Sequence, residues 1–170
     1  RFERQLVFVA AQPQISVCGS QIDEFEHTPD DAAHSRRVPC EHEEIARFAK
    51  NRNPINHMTV CYRKSAVLAA GNYQHAPLYE DYDLWVRMLL NGCRFANLPE
   101  VLVYARAGDE MYRRRGGWAY AKNELAMQRR FYRAGFLSAA QWAKNVLLRL
   151  PVRLLPNGVR QWVYRVLLRK

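Results

Sequence analysis

Apolar positions along this chain follow two periods, and the switches between them mark out its elements. Phe2, Leu6 and Val9 form a stripe that predicts the end of a helix over 1–12. Ile15 and Val17 then alternate with polar neighbours, which predicts a strand over 14–19 closed by Gly19, with 21–26 as its hairpin or edge partner. Ile45, Phe48 and Ala49 give a helix over 41–50. A strand is expected over 57–62 and a short helix over 64–70, which Gly71 ends in a positive-φ conformation. Leu84, Trp85, Met88 and Leu89 recur at i, i+1, i+4 and i+5, one face of a helix that opens at Glu80. Two short strands are expected over 94–97 and 101–105, with Leu98-Pro99-Glu100 as the turn between them. The spacing of Leu125, Gln128 and Tyr132 predicts a helix over 118–132 that Gly135 ends, and Ser138 caps a further one over 139–150. Pro151 and Pro156 break that pattern, Asn157-Gly158 turns the chain, and 159–169 forms a last short helix.

The composition is that of a globular protein: 49% of the 170 residues are apolar and 12% aromatic, which excludes a disordered chain. The length suits one core, or one domain with an appendage. Cys18, Cys40, Cys61 and Cys93 are widely spaced with no C-x-x-C pair, a usage that fits reduced thiols in a cytoplasmic protein. No signal peptide is visible at the start, and no apolar run has the ~18–20 residues that cross a bilayer.

Charge changes the picture because it is unevenly spread. Residues 1–124 carry 16 Lys+Arg and 16 Asp+Glu, whereas 125–170 carry ten Lys+Arg and no acid, so the net charge of +10 belongs to the last quarter. Within 138–170, Trp142, Val146, Leu147, Leu150, Trp162, Val163, Val166 and Leu167 alternate with Lys144, Arg149, Arg153, Arg160, Arg165 and Arg169. Basic amphipathic helices with tryptophan suit an anionic membrane interface. The plainer reading is packing against the rest of the protein with a basic outer face. Nucleic acid is the weaker partner, since no nucleic-acid motif is present and the aromatics lie on the apolar faces.

Candidate chemistry concentrates at Glu80-Asp81-Tyr82-Asp83-Leu84-Trp85-Val86-Arg87. Acids in a first helical turn face unpaired N–H groups and the positive end of the dipole, and Asp83 and Arg87 are four apart, within pairing reach. A well-capped amphipathic helix explains all of this. The sharper reading is a general base, a carboxylate at a helix start beside a cleft. His27, His34, Cys40 and His42 match no tetrahedral metal spacing, and 27–43 reads as a mobile loop. Glycines flank the arginine triplet of 106–117, where guanidinium groups suit phosphate oxygens, solvated surface arginines being the alternative. His57 has two readings, a substrate contact or a hydrogen-bonded structural histidine.

Gly71-Asn72-Tyr73 followed by Glu80-Asp81-Tyr82-Asp83-Leu84-Trp85-Val86-Arg87 resembles the G-x-[YF] … E-D-x-D-L-W-x-R signature of inverting family 2 glycosyltransferases. Asn53-Pro54-Ile55-Asn56-His57-Met58-Thr59-Val60 upstream and Asn97-Leu98-Pro99-Glu100-Val101-Leu102-Val103-Tyr104 downstream match in context, so the resemblance covers nearly the whole chain. It implies an α/β fold, the C-terminal part of a GT-A (nucleotide-diphospho-sugar transferase) fold with a mixed sheet over 1–117, and a basic helical extension over 118–170. It implies transfer of a sugar from a nucleotide-sugar donor to a saccharide or lipid-linked saccharide acceptor, as in bacterial surface-polysaccharide assembly. Asp81 would be the catalytic base, Glu80 its support or an acceptor contact, and His57 part of the cleft. Arginines among Arg106, Arg113, Arg114 and Arg115 would hold the leaving diphosphate in the family's mobile loop. Asp81-Tyr82-Asp83 matches the family's metal-binding Asp-x-Asp only in letters, because that motif ends a buried strand. No metal ligand is therefore assigned here, and the Mn or Mg ion implied for the full-length enzyme has its ligands mostly outside this chain. The location implied is the cytoplasm, peripheral on the inner face of the cell membrane. The rival expectations are a non-catalytic basic binding module and an inactive scaffold of the same fold.

Overall fold

The computed structural model describes residues 1–32, 34–107, 116–156 and 158–159. They form a mixed α/β arrangement, and the chain divides into two compact units: Arg1–His75 with Glu80–Arg106, and Ala76–Tyr79 with Ala107–Lys170.

The first unit is built on one strand. β1 (Ile15–Phe25) pairs in parallel with β4 (Arg94–Arg106) along its whole length. Its other edge is shared by β2 (His34–Arg36) and β3 (Cys61–Tyr62), both antiparallel. Every strand of the sheet therefore pairs with β1. The expected break at Gly19 does not occur, and the hairpin over 21–26 is instead the second half of the same strand. Gly19 is there for close approach: a Cβ at this position would collide with Asn97 Oδ1. The two strands expected over 94–105 are likewise one. Leu98 pairs with Ser20 and Val101 with Gln21, so Pro99-Glu100 is accommodated as a bulge where a proline lacks the N–H that a ladder needs. The strand expected over 57–62 shrinks to Cys61–Tyr62, preceded by a 3-10 turn at His57–Thr59. Within 27–43 the chain forms a 3-10 turn at Pro29–Asp31 as well as β2.

Helices cover both faces of the sheet. Val17 and Phe95 point to the side where α2 (His42–Phe48), α3 (Lys64–Ala69) and α4 (Glu80–Leu90) deliver Ile45, Val67, Leu84, Trp85 and Met88 to the main core. Cys18 and Ala96, one residue on and hence on the other face, meet Phe8 and Val9 of α1 (Phe2–Ala11). The i, i+1, i+4 pattern of α4 is met by complete burial of Leu84, Trp85 and Met88. Burying such side chains contributes roughly 1.5–3 kcal/mol each, which fixes α4, and with it Asp81, against the sheet.

The second unit holds α5 (Trp118–Arg133) and α6 (Ala139–Leu154). Gly135 takes φ +75° just after α5, and Ser138 caps α6 with Gln141 returning the bond to the Ser138 N–H. Phe131 packs edge-on against Phe136. Pro151 does not end α6; the helix runs on to Leu154. The last turn is held by Arg153, whose guanidinium bonds Glu124 Oε2 at 2.9 Å and lies 4.6 Å over the Tyr120 ring. The helix expected over 159–169 lies outside the described residues apart from Val159.

Glu124 is fully buried and is the hub of this unit. Arg149 stands 3.1 Å from Oε1, the Tyr79 hydroxyl donates to Oε2 at 2.5 Å, and Gln128 donates to Oε1 at 3.3 Å. Burial alone would raise the carboxyl's pKa, but Arg149, Arg153 and the Tyr79 hydroxyl outweigh it and hold the group below its ordinary range. Arg149 and Arg153 are thus turned onto an internal acid and do not belong to a basic outer face. Composition alone had placed them there, because the acid-free stretch begins one residue after Glu124.

Candidate active site

Asp81 stands in the first turn of α4 and Asp83 two residues later, and the fold gives them opposite environments. Asp83 is buried and pairs with Arg87 at 2.8 Å, the i, i+4 contact expected from spacing. Arg87 also donates to the carbonyls of Ala70 and, at 2.8 Å, of Asn72. One guanidinium therefore ties α4 to the turn at Gly71-Asn72, where Gly71 takes φ +82° and Asn72 φ +54°. This is the structural work of the signature's last aspartate and arginine: they fix the turn that presents Tyr73.

Asp81 remains 24% exposed at its side chain. Its Oδ1 accepts from the Tyr82 N–H at 2.7 Å and its Oδ2 from Asn53 Nδ2 at 2.8 Å. A carboxylate offers about four lone-pair directions, so capacity remains for a hydroxyl arriving from solvent. Asn53 is itself oriented. Its Oδ1 accepts from the Ile55 N–H at 3.2 Å, an Asx turn across Pro54 that aims the NH2 group at Asp81. Pro54 is held from behind by buried Asn97, which donates to the carbonyls of Pro39 and Pro54 at 2.6 and 3.1 Å. The loop carrying Asn53 is thus anchored through the side chain over which Gly19 makes room.

His57 joins the cluster. Its Nδ1 lies 3.9 Å from Asp81 Oδ2, and its side chain is 53% exposed. The ring rests 6.3 Å from that of Trp85 and edge-on to Tyr73 at 6.5 Å, while Tyr62 lies 6.2 Å from Trp85. Burial, with further contributions from Tyr62 and the Asp81 charge, pushes the Tyr73 hydroxyl up to about 12, so it stays protonated at neutral pH.

The structure therefore brings Asp81 and His57 together and places Glu80 beside them as an exposed residue at the helix start. Arg106 is held elsewhere: it donates to the His27 carbonyl at 3.1 Å, and its guanidinium lies 5.5 Å from the Phe25 ring, at the end of the β1–β4 ladder. Arg113, Arg114 and Arg115 lie outside the described residues. Sequence reasoning did not single out Asn53, Tyr62, Tyr73 or Asn97 as site residues. The local signals are Asn53-Pro54, a dipeptide that favours an Asx turn, and Tyr73, which closes the Gly71-Asn72-Tyr73 motif.

Among the described residues no group of three or more His, Cys, Asp and Glu converges as a metal site, so these residues do not fit a metal by themselves. His42 accepts a bond from the Phe95 N–H at 3.2 Å and lines a concavity with Phe8, Cys40 and Arg94; Asn97, which anchors the Asn53 loop, borders it as well.

No family model matches the chain. Over 170 residues it is 38% identical to the UDP-Gal:alpha-D-GlcNAc-diphosphoundecaprenol beta-1,3-galactosyltransferase of Escherichia coli, a match covering 100% of this chain and 62% of that protein. It is 41% identical over 170 residues to an uncharacterized glycosyltransferase of Haemophilus influenzae, covering 100% of this chain and 63% of the relative. The amylovoran biosynthesis glycosyltransferase AmsE of Erwinia amylovora is 38% identical over 168 residues, covering 96% of this chain and 61% of that protein. Homologues of this chain are thus named glycosyltransferases, including a galactosyltransferase and a polysaccharide-biosynthesis enzyme. The chain spans less than two thirds of the length of these relatives.

Proposed function

We propose that this chain is the acceptor-side part of an inverting, family 2-like glycosyltransferase of GT-A fold, with Asp81 as general base. The observation that carries the reading is the Asp81 carboxylate at the start of α4, oriented by Asn53 and still open to solvent, in a chain whose homologues are glycosyltransferases. In the step proposed, an acceptor hydroxyl gives its proton to an Asp81 oxygen while its own oxygen attacks the anomeric carbon. The bond from that carbon to the nucleoside diphosphate breaks on the opposite face, which inverts the centre. General-base assistance of this kind contributes about 10²–10⁴-fold.

A nucleotide sugar is the donor and a lipid-linked saccharide the acceptor, a pairing supported by the name of the E. coli relative. A Mn or Mg ion belongs to the full-length enzyme, with ligands mostly outside this chain. The enzyme works at the inner face of the membrane as a peripheral protein, with 138–170 toward anionic lipid. Support comes from α6, where Leu147, Leu148 and Leu154 are exposed; no helix among the described residues is long and apolar enough to cross a membrane. Since Arg149 and Arg153 are engaged by Glu124, the apolar ridge carries more of this docking than the net charge suggests.

The test is transfer from UDP-galactose to a short-chain GlcNAc-diphospholipid by the full-length protein and its Asp81→Asn variant. A loss of ~10²-fold or more with an unchanged circular dichroism spectrum supports the base. Full activity in the variant returns Asp81 to helix capping, and no activity in the wild type with any nucleotide sugar favours the inactive scaffold.

A further inference from the structure

We propose that Tyr73, Tyr62 and His57 form an angled aromatic platform, the His57 ring standing perpendicular to that of Tyr73, that takes the sugar ring of the acceptor beside Asp81. The proposal rests on the glycosyltransferase reading for its ligand but not on the identity of the base.

Three observations carry it. First, the rings are assembled on a rigid floor and left open above. Trp85 is fully buried under His57 and Tyr62, yet Tyr62 and Tyr73 remain 38% and 40% exposed. Aromatic rings that serve only as core filling bury their faces, as Trp85 and Phe95 do in the same cluster. Second, the open rings are held in place from outside the cluster. Arg87 fixes the carbonyls of Ala70 and Asn72, immediately before Tyr73, and β1 holds Tyr62 through the Val17 pair. Little conformational freedom is then lost when a ligand settles on them. Third, the platform ends at a carboxylate: His57 Nδ1 is 3.9 Å from Asp81 Oδ2.

A pyranose has the matching two-sided chemistry. Its axial C–H groups form an apolar face that lies on aromatic rings, and its rim of hydroxyls seeks acceptors and donors. Set on the Tyr73 ring, to which His57 stands edge-on at 6.5 Å, it presents that rim to Asp81 and His57. A nucleotide base would also stack on aromatic rings. The UDP-galactose arm of the experiment separates that occupant from an acceptor sugar.

The experiment is direct binding to the full-length protein, read by saturation-transfer NMR on a short-chain GlcNAc-diphospholipid, with UDP-galactose as the control ligand. Tyr73→Ala is expected to weaken the acceptor probe by roughly tenfold, the scale of one aromatic contact, and Tyr73→Phe to restore it, because the ring and not the hydroxyl does the stacking. UDP-galactose should bind all variants alike. Tyr62→Ala gives a second reading should Tyr73→Ala misfold. In Asp81→Asn the probe should still bind, which separates this proposal from the base assignment. Equal weakening of both ligands, or unchanged probe binding in Tyr73→Ala and Tyr62→Ala, overturns the platform.

Discussion

Two carboxylates anchor the two units of this chain, and they are treated in opposite ways. Glu124 is sealed in and surrounded: two arginines, a tyrosine hydroxyl and a glutamine amide use up its oxygens. Asp81 is given one backbone N–H and one oriented amide and is left partly open. The first arrangement fixes structure, because nothing further can approach. The second leaves lone pairs aimed at solvent beside three half-open rings, which is what proton abstraction from an arriving hydroxyl requires. The two acids thus differ in how many partners they already have, and only Asp81 has room for an arriving hydroxyl.

Removing the sealed acid should give the largest stability effect. Glu124→Gln leaves Arg149 and Arg153 without their counter-charge in a buried site and is expected to cost about 3–5 kcal/mol in urea denaturation. The pH dependence follows from the sign. The folded-state pKa is lowered, so the contribution is fully present above the unfolded value near ~4.3 and is lost as pH falls through the folded value. The gap between wild type and variant should therefore close below pH ~4. A gap that instead widens in acid would reverse the assignment.

Arg87→Met tests the scaffold around the open acid. It takes the cation from buried Asp83 and frees the turn before Tyr73, for an expected ~2–3 kcal/mol in the same assay. Asn53→Asp erodes the contrast directly. A second carboxylate placed against Asp81 Oδ2 disfavours ionisation, so the acid limb of the pH–rate profile should move upward by about one unit or more. A limb that stays put would mean that Asp81 does not set it. The smallest effect is expected from Leu147→Ser on the exposed ridge of α6: stability within ~0.5 kcal/mol of wild type, with weaker flotation on anionic liposomes.

Local chemistry was legible in the chain and long-range pairing was not. The α4 pattern, the Asp83–Arg87 pair, the Gly71 turn and the Ser138 cap are all decided within five residues, and the structure shows each as the spacing implies. Gly19 was misread as a strand end because its reason for being glycine, the Asn97 side chain, is 78 positions away. Pro99-Glu100 read as a turn because a bulge is visible only against its partner strand. The acid-free tail read as uniformly basic because counting charges says nothing of pairing, and Glu124 sits just before the stretch that was counted. The resemblance singles out Asp81 and His57, and the structure sets them 3.9 Å apart. Asn53, 28 positions from Asp81, and the openness of Tyr62 and Tyr73 depend on tertiary packing that no local period encodes.

The most direct test neutralises each of the two acids in turn. Asp81→Asn and Glu124→Gln would be made in the full-length protein, and melting temperature and sugar transfer measured on both. Asp81→Asn is expected to lose transfer by ~10²-fold or more at a near wild-type melting temperature, while Glu124→Gln lowers the melting temperature sharply. Transfer that survives in Asp81→Asn, or a melting temperature that falls as far there as in Glu124→Gln, would contradict that expectation.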